Sequence, residues 1–140
     1  MRFFDAVVRY ETELWAAAER ALRDAGAVTP ADLGGLRAIA AYGRGTRVND
    51  VSRILGITIG AASKLVDRLE RAGLARRTAN PEDGRSSLLE LTRDGYARLA
   101  DGDAVVRALL DAHLSGTEAD ELAERLERLR SRLTGTAVAA

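Results

Sequence analysis

The chain has 140 residues, of which 46% are hydrophobic and 30% are charged, and its 21 basic side chains balance its 21 acidic ones. This length suits one domain, and no apolar run reaches the roughly 18 residues that cross a membrane. The sequence has no cysteine, which excludes disulfides, thiolate zinc sites and thiol nucleophiles.

The first 42 residues predict two helices. An apolar face recurs along a long first helix that Gly26 closes. Its members are Phe4, Val7, Leu14, Ala18, Ala21 and Ala25. The second helix takes Thr29 as N-cap and Pro30 as its first residue, and it runs to about Tyr42. Gly34 and Gly35 inside it each cost about 1 kcal/mol relative to Ala, and the sequence gives no reason for them.

Residues 48–73 predict a helix-turn-helix. The first helix is short, with Asn49 as cap, and it ends at Gly56. Its inward residues are Val51, Ile54 and Leu55. The second helix begins after Thr58 as N-cap, ends at Gly73 and repeats apolar residues at helical spacing. That stripe is Ala62, Leu65, Val66 and Leu69. Polar and basic residues lie opposite the stripe, so we call this second helix the reading helix.

Two period-two segments, LARRTA and SSLLELT, flank the turn NPEDG and predict a hairpin. A hairpin directly after a helix-turn-helix is a wing, and we use that name for residues 75–91. A further helix follows Thr92 as cap, carries apolar residues from Tyr96 to Leu114 and is expected to bend near Gly102.

The last predicted helix opens at SGTEADE, with Thr117 as cap. Its leucines repeat at heptad spacing and need a partner. They are Leu122, Leu126, Leu129 and Leu133. The final GTAVAA, residues 135–140, is expected to fray.

The zero net charge hides a basic middle. Between Gly43 and Arg98, 11 Arg or Lys stand against 7 Asp or Glu, a surplus of four that the rest of the chain cancels. This surplus coincides with the helix-turn-helix and the wing, which favours a nucleic-acid contact there.

The stretch VSRILGITIGAASKLVDRLERAGLARR resembles the paired DNA-binding helices of the MarR-type winged-helix transcriptional regulators. NPEDGRSSLLELTRDG resembles their wing, with Asp83 and Arg85 as its Asp-x-Arg pair. The resemblance implies a mainly α fold with a small antiparallel β-hairpin, in which residues 29–92 form the winged-helix core and residues 1–28 and 93–140 form dimerisation helices. It also implies a homodimer that represses transcription from a pseudo-palindromic operator in double-stranded DNA and is released by a small, for example aromatic, effector. A cytoplasmic location is expected from the sequence itself, because Asp5 interrupts the apolar run that a secretion signal would need at the N-terminus.

DNA contacts are expected along the reading helix and the wing, because a helix N-terminus in the major groove presents amides to phosphate and side chains to base edges. The expected contacts are Thr58, Ile59, Gly60, Ala61, Ser63, Lys64, Arg68, Arg76, Arg77 and Arg85. Arg85 is expected in the minor groove, and Asp83 is expected to accept hydrogen bonds that orient an arginine. Ile59, Gly60 and Ala61 are less polar than the family pattern, which predicts sparse base reading.

Other interpretations stay open for several of these residues. Arg76 and Arg77 also fit solvated strand positions. Trp15, Tyr42 and His113 are candidates for an effector pocket, but each also fits packing, a helix cap or a subunit interface. One histidine without cysteine does not supply the ligands of a zinc site, so no metal or cofactor is expected.

No catalytic motif is present in the sequence, so the chain is not expected to be an enzyme. The alternative to a DNA-binding regulator is a winged-helix protein-protein module without base reading, which the apolar TIGAA start of the reading helix would allow.

Overall fold

The computed structural model describes residues 1–137, with side chains through Leu133. It contains six helices and one hairpin. The helices are α1 (Arg2–Asp24), α2 (Pro30–Ala40), α3 (Val48–Leu55), α4 (Ile59–Arg71), α5 (Arg93–Asp111) and α6 (Gly116–Ala137), and the strands are β1 (Ala75–Ala79) and β2 (Ser87–Leu91). The predicted mainly α fold with one antiparallel hairpin is therefore confirmed. The chain divides into two compact units, Met1–Val106 and Arg107–Ala140.

The core of the first unit lies between α2, α3, α4 and the hairpin. The predicted stripe of α4 is buried in it, together with Leu36, Ile39, Val51 and Leu89. Gly35 is now explained, because a Cβ there would lie 3.0 Å from the Cδ atoms of both Leu65 and Leu69. Helices α2 and α4 thus approach each other at a point that has no room for a side chain.

The cap of α2 is confirmed, since the Thr29 Oγ1 accepts a hydrogen bond from the amide of Asp32 at 3.2 Å. The helix ends at Ala40, two residues before the predicted end at about Tyr42, and Gly43, with φ of +57°, starts a single 3₁₀ turn at Gly43–Gly45.

Two predictions for α3 are wrong. Arg47 is the N-cap, and its amide donates to the Asp50 carboxylate at 2.9 Å, so Asn49 lies inside the first turn. Ile54 is 42% exposed, although Val51 is buried and Leu55 is half-buried as expected. Gly56, with φ of +64°, ends the helix as predicted.

The hairpin pairs Ala75 with Leu91 and Ala79 with Ser87, as its period-two pattern predicts. Strand β2 is also tied to the segment before α3, because the amide of Leu89 donates to the carbonyl of Thr46 at 2.7 Å. The buried Thr46 hydroxyl in turn donates to the carbonyl of Ile39 at 2.8 Å. The wing is therefore attached to the core at its base.

Thr92 caps α5 as predicted. Its Oγ1 accepts from the amide of Gly95 at 3.0 Å and donates to the carbonyl of Gly73 at 2.7 Å. One hydroxyl therefore joins the end of the reading helix to the start of α5.

Further along α5, Gly102 packs against α2, where a Cβ would lie 2.7 Å from a Cδ atom of Leu33.

Helix α1 contacts the rest of its unit through little more than its C-terminal end, where Leu22 is its one buried residue. Of the apolar face predicted for this helix, Phe4, Val7 and Ala25 are exposed, whereas Leu14, Ala18 and Ala21 are half-buried. Large apolar residues outside the predicted face are exposed as well, namely Phe3, Val8, Tyr10 and Trp15.

In the second unit, α6 begins at Gly116, and the Ser115 Oγ accepts from the amide of Glu118 at 3.2 Å. Ser115 is thus the cap, and the prediction of Thr117 is wrong. The four heptad leucines are 39–74% exposed, so they still lack the partner that their spacing requires. Helix α6 continues into the predicted fraying segment as far as Ala137, and residues 138–140 lie outside the described part.

Within the described residues, no helix combines the length and the apolar character that a membrane crossing needs.

Candidate nucleic-acid interface

The first turn of α4 is an open helix N-terminus. Thr58 has extended backbone angles, φ of −66° and ψ of 154°, and its Oγ1 accepts from the amide of Ala61 at 3.2 Å. Ile59 and Gly60 lie in the first turn of the helix, where no helix carbonyl is placed to accept a hydrogen bond from their amides. These two amides and the positive end of the helix dipole can bind an anionic oxygen.

The residues predicted to face DNA lie on the outer side of α4. Ile59 is 58% exposed, Gly60, Ala61 and Lys64 are exposed, and Ser63 is half-buried. Since the buried stripe lies opposite, the first two turns of α4 present two apolar side chains and one ammonium group to solvent. A helix in the major groove could contact thymine methyl groups and acceptor edges with such a set.

Lys64 and Arg85 are the two predicted contacts whose charged groups have no partner. Both side chains are exposed, and across the described residues neither takes part in a hydrogen bond or an ion pair. One lies in the reading helix and the other in the loop of the wing, so each DNA-binding element carries one predicted contact with an uncompensated charge. Arg71, the last residue of α4, is also exposed and without a partner among the described residues, but it was not predicted to contact DNA.

Asp83 holds the wing loop, although not in the expected way. Its Oδ1 accepts from the backbone amide of Arg85 at 3.0 Å, and no described guanidinium bonds to it. Asp83 thus orients the backbone that carries Arg85 and leaves the guanidinium of Arg85 free.

The other predicted arginines are compensated by carboxylates. In the wing, Arg76 lies opposite Glu90 in the strand register, with Nε 2.5 Å from Oε1. Arg44 approaches the same carboxylate at 3.4 Å. Glu90 is therefore shared by two guanidinium groups.

Two further arginines form ion pairs that fix the reading helix to its neighbours. Arg77 donates to Asp67 and to Glu70, both at 2.8 Å, and its side chain is only 29% exposed. Arg68 donates through Nε and Nη2 to one oxygen of Asp32, at 2.7 and 2.6 Å. These pairs connect α4 to β1 and to α2.

These carboxylate partners were not predicted from the sequence. Glu90 could have been found from the predicted hairpin register, which places it opposite Arg76. Asp32 could not have been found, because it is 36 residues away from Arg68 along the chain.

The three effector-pocket candidates are all exposed. Trp15 and Tyr42, in the first unit, are 50% and 57% exposed. His113, in the second unit, follows the end of α5, and its Nδ1 lies 2.8 Å from the carbonyl of Leu109. Among the described residues, no group of three or more His, Asp or Glu side chains is placed to hold a metal.

Comparison with known proteins gives one family. The MarR family model matches residues 28–86, which contain α2, α3, α4, β1 and the loop of the wing. No curated protein matches the sequence.

Solved structures share the fold over nearly the whole chain. The transcriptional regulator BldR from Sulfolobus solfataricus has 25% identity and a TM-score of 0.82, covering 94% of each chain. CouR from Rhodococcus jostii, bound to p-coumaroyl-CoA, has 25% identity and a TM-score of 0.77 over 90% of this chain and 87% of its own. A mutant MarR from E. coli complexed with operator DNA has 20% identity and a TM-score of 0.77, over 92% and 94%.

Proposed function

We propose that this chain, whose winged-helix core is that of the MarR family, is a homodimeric repressor of transcription that binds a pseudo-palindromic operator and is released by a small ligand. The relatives with this fold include regulators, one of them complexed with operator DNA. The observation that carries the proposal is the pair of uncompensated cations, Lys64 on the reading helix and Arg85 on the wing.

In the major groove, the first two turns of α4 supply side chains that contact bases and backbone amides that bind a phosphate. The Lys64 ammonium pairs with a guanine edge or a phosphate, and the half-buried Ser63 hydroxyl pairs with a base edge of either polarity. Ile59 and Ala61 contact thymine methyl groups. The amides of Ile59 and Gly60, next to the Thr58 cap, bind a phosphate oxygen.

In the minor groove, Arg85 supplies the contact of the wing. A narrow groove in A·T-rich sequence concentrates negative potential, which favours a single inserted guanidinium. Asp83 holds the backbone amide of Arg85, so the contact begins from a fixed loop.

Arg68, Arg76 and Arg77 contact phosphates only through donors that their carboxylate partners leave over. A guanidinium has five N–H donors, and Arg68 uses Nε and Nη2 for Asp32. The remaining donors of these arginines can reach a phosphate, but their charge is already compensated.

The dimer is proposed from two uncovered apolar faces, each of which packs against a second copy. One is the exposed face of α1 around Phe4, and the other is the leucine ladder of α6. A two-fold dimer places its half-sites about 10 base pairs apart.

A small aromatic acid or its thioester is the proposed effector. CouR, one of the structures with this fold, was solved with p-coumaroyl-CoA bound. In this chain, Trp15, Tyr42 and His113 are the candidate contacts. A thermal-shift screen tests this part, because a ligand at a hundredfold excess over its Kd stabilises the folded protein by about 2.7 kcal/mol.

The test of DNA binding is a gel shift with the intergenic DNA beside the protein's own gene, at two salt concentrations. Arg85→Ala should weaken binding to all sequences, and Lys64→Ala should also relax the preference at one or two base positions. Arg23→Ala is the matched control, since it removes the same charge from α1, where a 4.0 Å contact with Glu19 is all that it loses.

If the wild type binds operator no better than a random duplex of equal length, the proposal fails. The exposed apolar Ile59 and Ala61 then favour a protein-protein module in its place.

A further inference from the structure

The loop of the wing contains one buried polar side chain whose neighbours are all in solvent. Asn80 is 5% exposed, whereas residues 81–85 are exposed. A buried amide costs free energy unless its donors and acceptors are paired, so the contacts of Asn80 show what holds this loop.

Asn80 bonds to both halves of the loop. Its Oδ1 accepts from the amide of Glu82 at 3.0 Å, and its Nδ2 donates to the Ser86 hydroxyl at 2.9 Å. The first bond fixes the outgoing side of the loop, and the second fixes the returning side. One side chain therefore spans the base of the loop that carries Arg85.

The backbone between these two bonds forms two consecutive turns. The amide of Asp83 donates to the carbonyl of Asn80 at 3.3 Å, and the amide of Ser86 donates to the carbonyl of Asp83 at 3.1 Å. Asp83 belongs to both turns, and Arg85 lies in the second. The contacts of Asp83 are internal to the loop, whereas Asn80 connects the second turn back to the end of β1.

We propose that Asn80 is a positioning residue for Arg85, which fixes the second turn so that the guanidinium is directed before DNA is met. The proposal rests on the proposed function and names how the wing achieves its contact. Because the Arg85 side chain has no protein partner, its direction is set by its backbone alone. A loop that is ordered in the free protein avoids the cost of ordering it on binding.

The test is a set of four proteins measured by fluorescence anisotropy on one operator fragment: wild type, Asn80→Ala, Arg85→Ala and the double variant. Asn80→Ala should weaken binding by about tenfold, the size of a lost pre-organisation term. The double variant should bind no more weakly than Arg85→Ala, because Asn80 acts through Arg85. A purely structural role would instead multiply the two losses, and that result would overturn the proposal, as would wild-type affinity in Asn80→Ala.

Ser86→Ala provides a second route to the same answer if Asn80→Ala does not fold. It removes the acceptor of Nδ2 and should weaken binding in the same direction, again with no further effect once Arg85 is absent. Thr78→Ala is the matched control, because its hydroxyl makes only a 3.5 Å contact with the carbonyl of Leu88 in the same hairpin. It should bind as the wild type does.

Amide spectra of the free proteins separate this inference from the proposed function. In Asn80→Ala, the amide signals of Gly84 and Arg85 should broaden or move toward random-coil positions while those of α4 stay in place. If the wild type binds no DNA, the proposed function fails, and with it the role toward DNA. If the wild type binds and the spectra of the loop do not change, only the inference fails.

Discussion

The salt dependence of operator binding would count the cations that release counterions from DNA. Five basic side chains of the reading helix and the wing are predicted DNA contacts. Carboxylates already compensate Arg68, Arg76 and Arg77, whereas Lys64 and Arg85 have no partner. A dimer therefore carries four uncompensated cations at this face out of ten.

The two counts predict very different slopes. Each neutralised phosphate contributes about −0.9 to the slope of log K against log salt concentration. Four cations therefore give a slope of about −3.6, and ten give a slope of about −9. Between 50 and 200 mM salt, affinity should then fall about 150-fold for four cations, against about 10⁵-fold for ten. We expect the smaller loss.

Variants assign the slope to residues. Lys64→Ala and Arg85→Ala each remove two cations from the dimer and should each make the slope shallower by about 1.8. Arg68→Ala should leave the slope nearly unchanged, because the charge it removes was paired with Asp32. Fluorescence anisotropy at five salt concentrations measures all four proteins. A wild-type slope steeper than about −7, or an Arg68→Ala slope as shallow as that of Arg85→Ala, would refute the reasoning.

Three further predictions concern packing, base reading and assembly. A Cβ on Gly34 would lie 3.4 Å from Leu55 Cδ2, so Gly34→Ala should raise the free energy of unfolding by up to about 1 kcal/mol. A Cβ on Gly95 would lie 2.0 Å from the backbone oxygen of Leu74, so Gly95→Ala should lower the free energy of unfolding by at least about 3 kcal/mol. Urea unfolding measures both variants, and a Gly95→Ala protein as stable as the wild type would contradict the packing of α5 against Leu74. Replacing operator thymines by uracil should cost about fourfold for each methyl that Ile59 contacts, from about 0.8 kcal/mol per buried group. Ile59→Ala should abolish this loss of affinity on uracil substitution, whereas the control Ile54→Ala on α3 should keep it. If the wild type binds the thymine and uracil operators equally, Ile59 does not contact thymine methyl groups. Leu126→Glu should shift the protein from dimer to monomer in sedimentation at micromolar concentration, whereas Glu124→Ala on the other side of α6 should not. If Leu126→Glu is still a dimer, α6 is not part of the dimer interface.

The order of helices and strands could be predicted because each has its own periodicity and its own punctuation. Caps were predictable where one candidate stood alone, as Thr29 and Thr58 do. Two caps were mispredicted: α3 takes Arg47, which is not an ordinary capping residue, and α6 offered two candidates close together. Ser115 takes the cap of α6 and Thr117 does not, because the extended residue before a helix is chosen by how the chain enters it, and that depends on tertiary packing.

The contacts between helices and strands could not be predicted from the sequence. Gly35 was anomalous as a helix residue and became understandable only as the crossing point of α2 and α4. The arginines of the site looked alike in sequence, but their partners separate them. Asp32 compensates Arg68 from another helix, while Arg85 has no compensating group among the described residues. A residue type indicates which chemistry is possible, and long-range packing determines which groups remain available for it.

The attachment of α1 through Leu22 has a consequence for the amount of regulator that a cell keeps. A helix of 23 residues with one buried side chain gains little stability from its own chain. In the proposed dimer, association with a second copy supplies the rest, so the helix should become ordered as protein concentration rises. Newly made chains that have not yet met a partner would then be open to proteases at their N-terminal segment, and degradation would set a lower limit on the synthesis rate that keeps the dimer present.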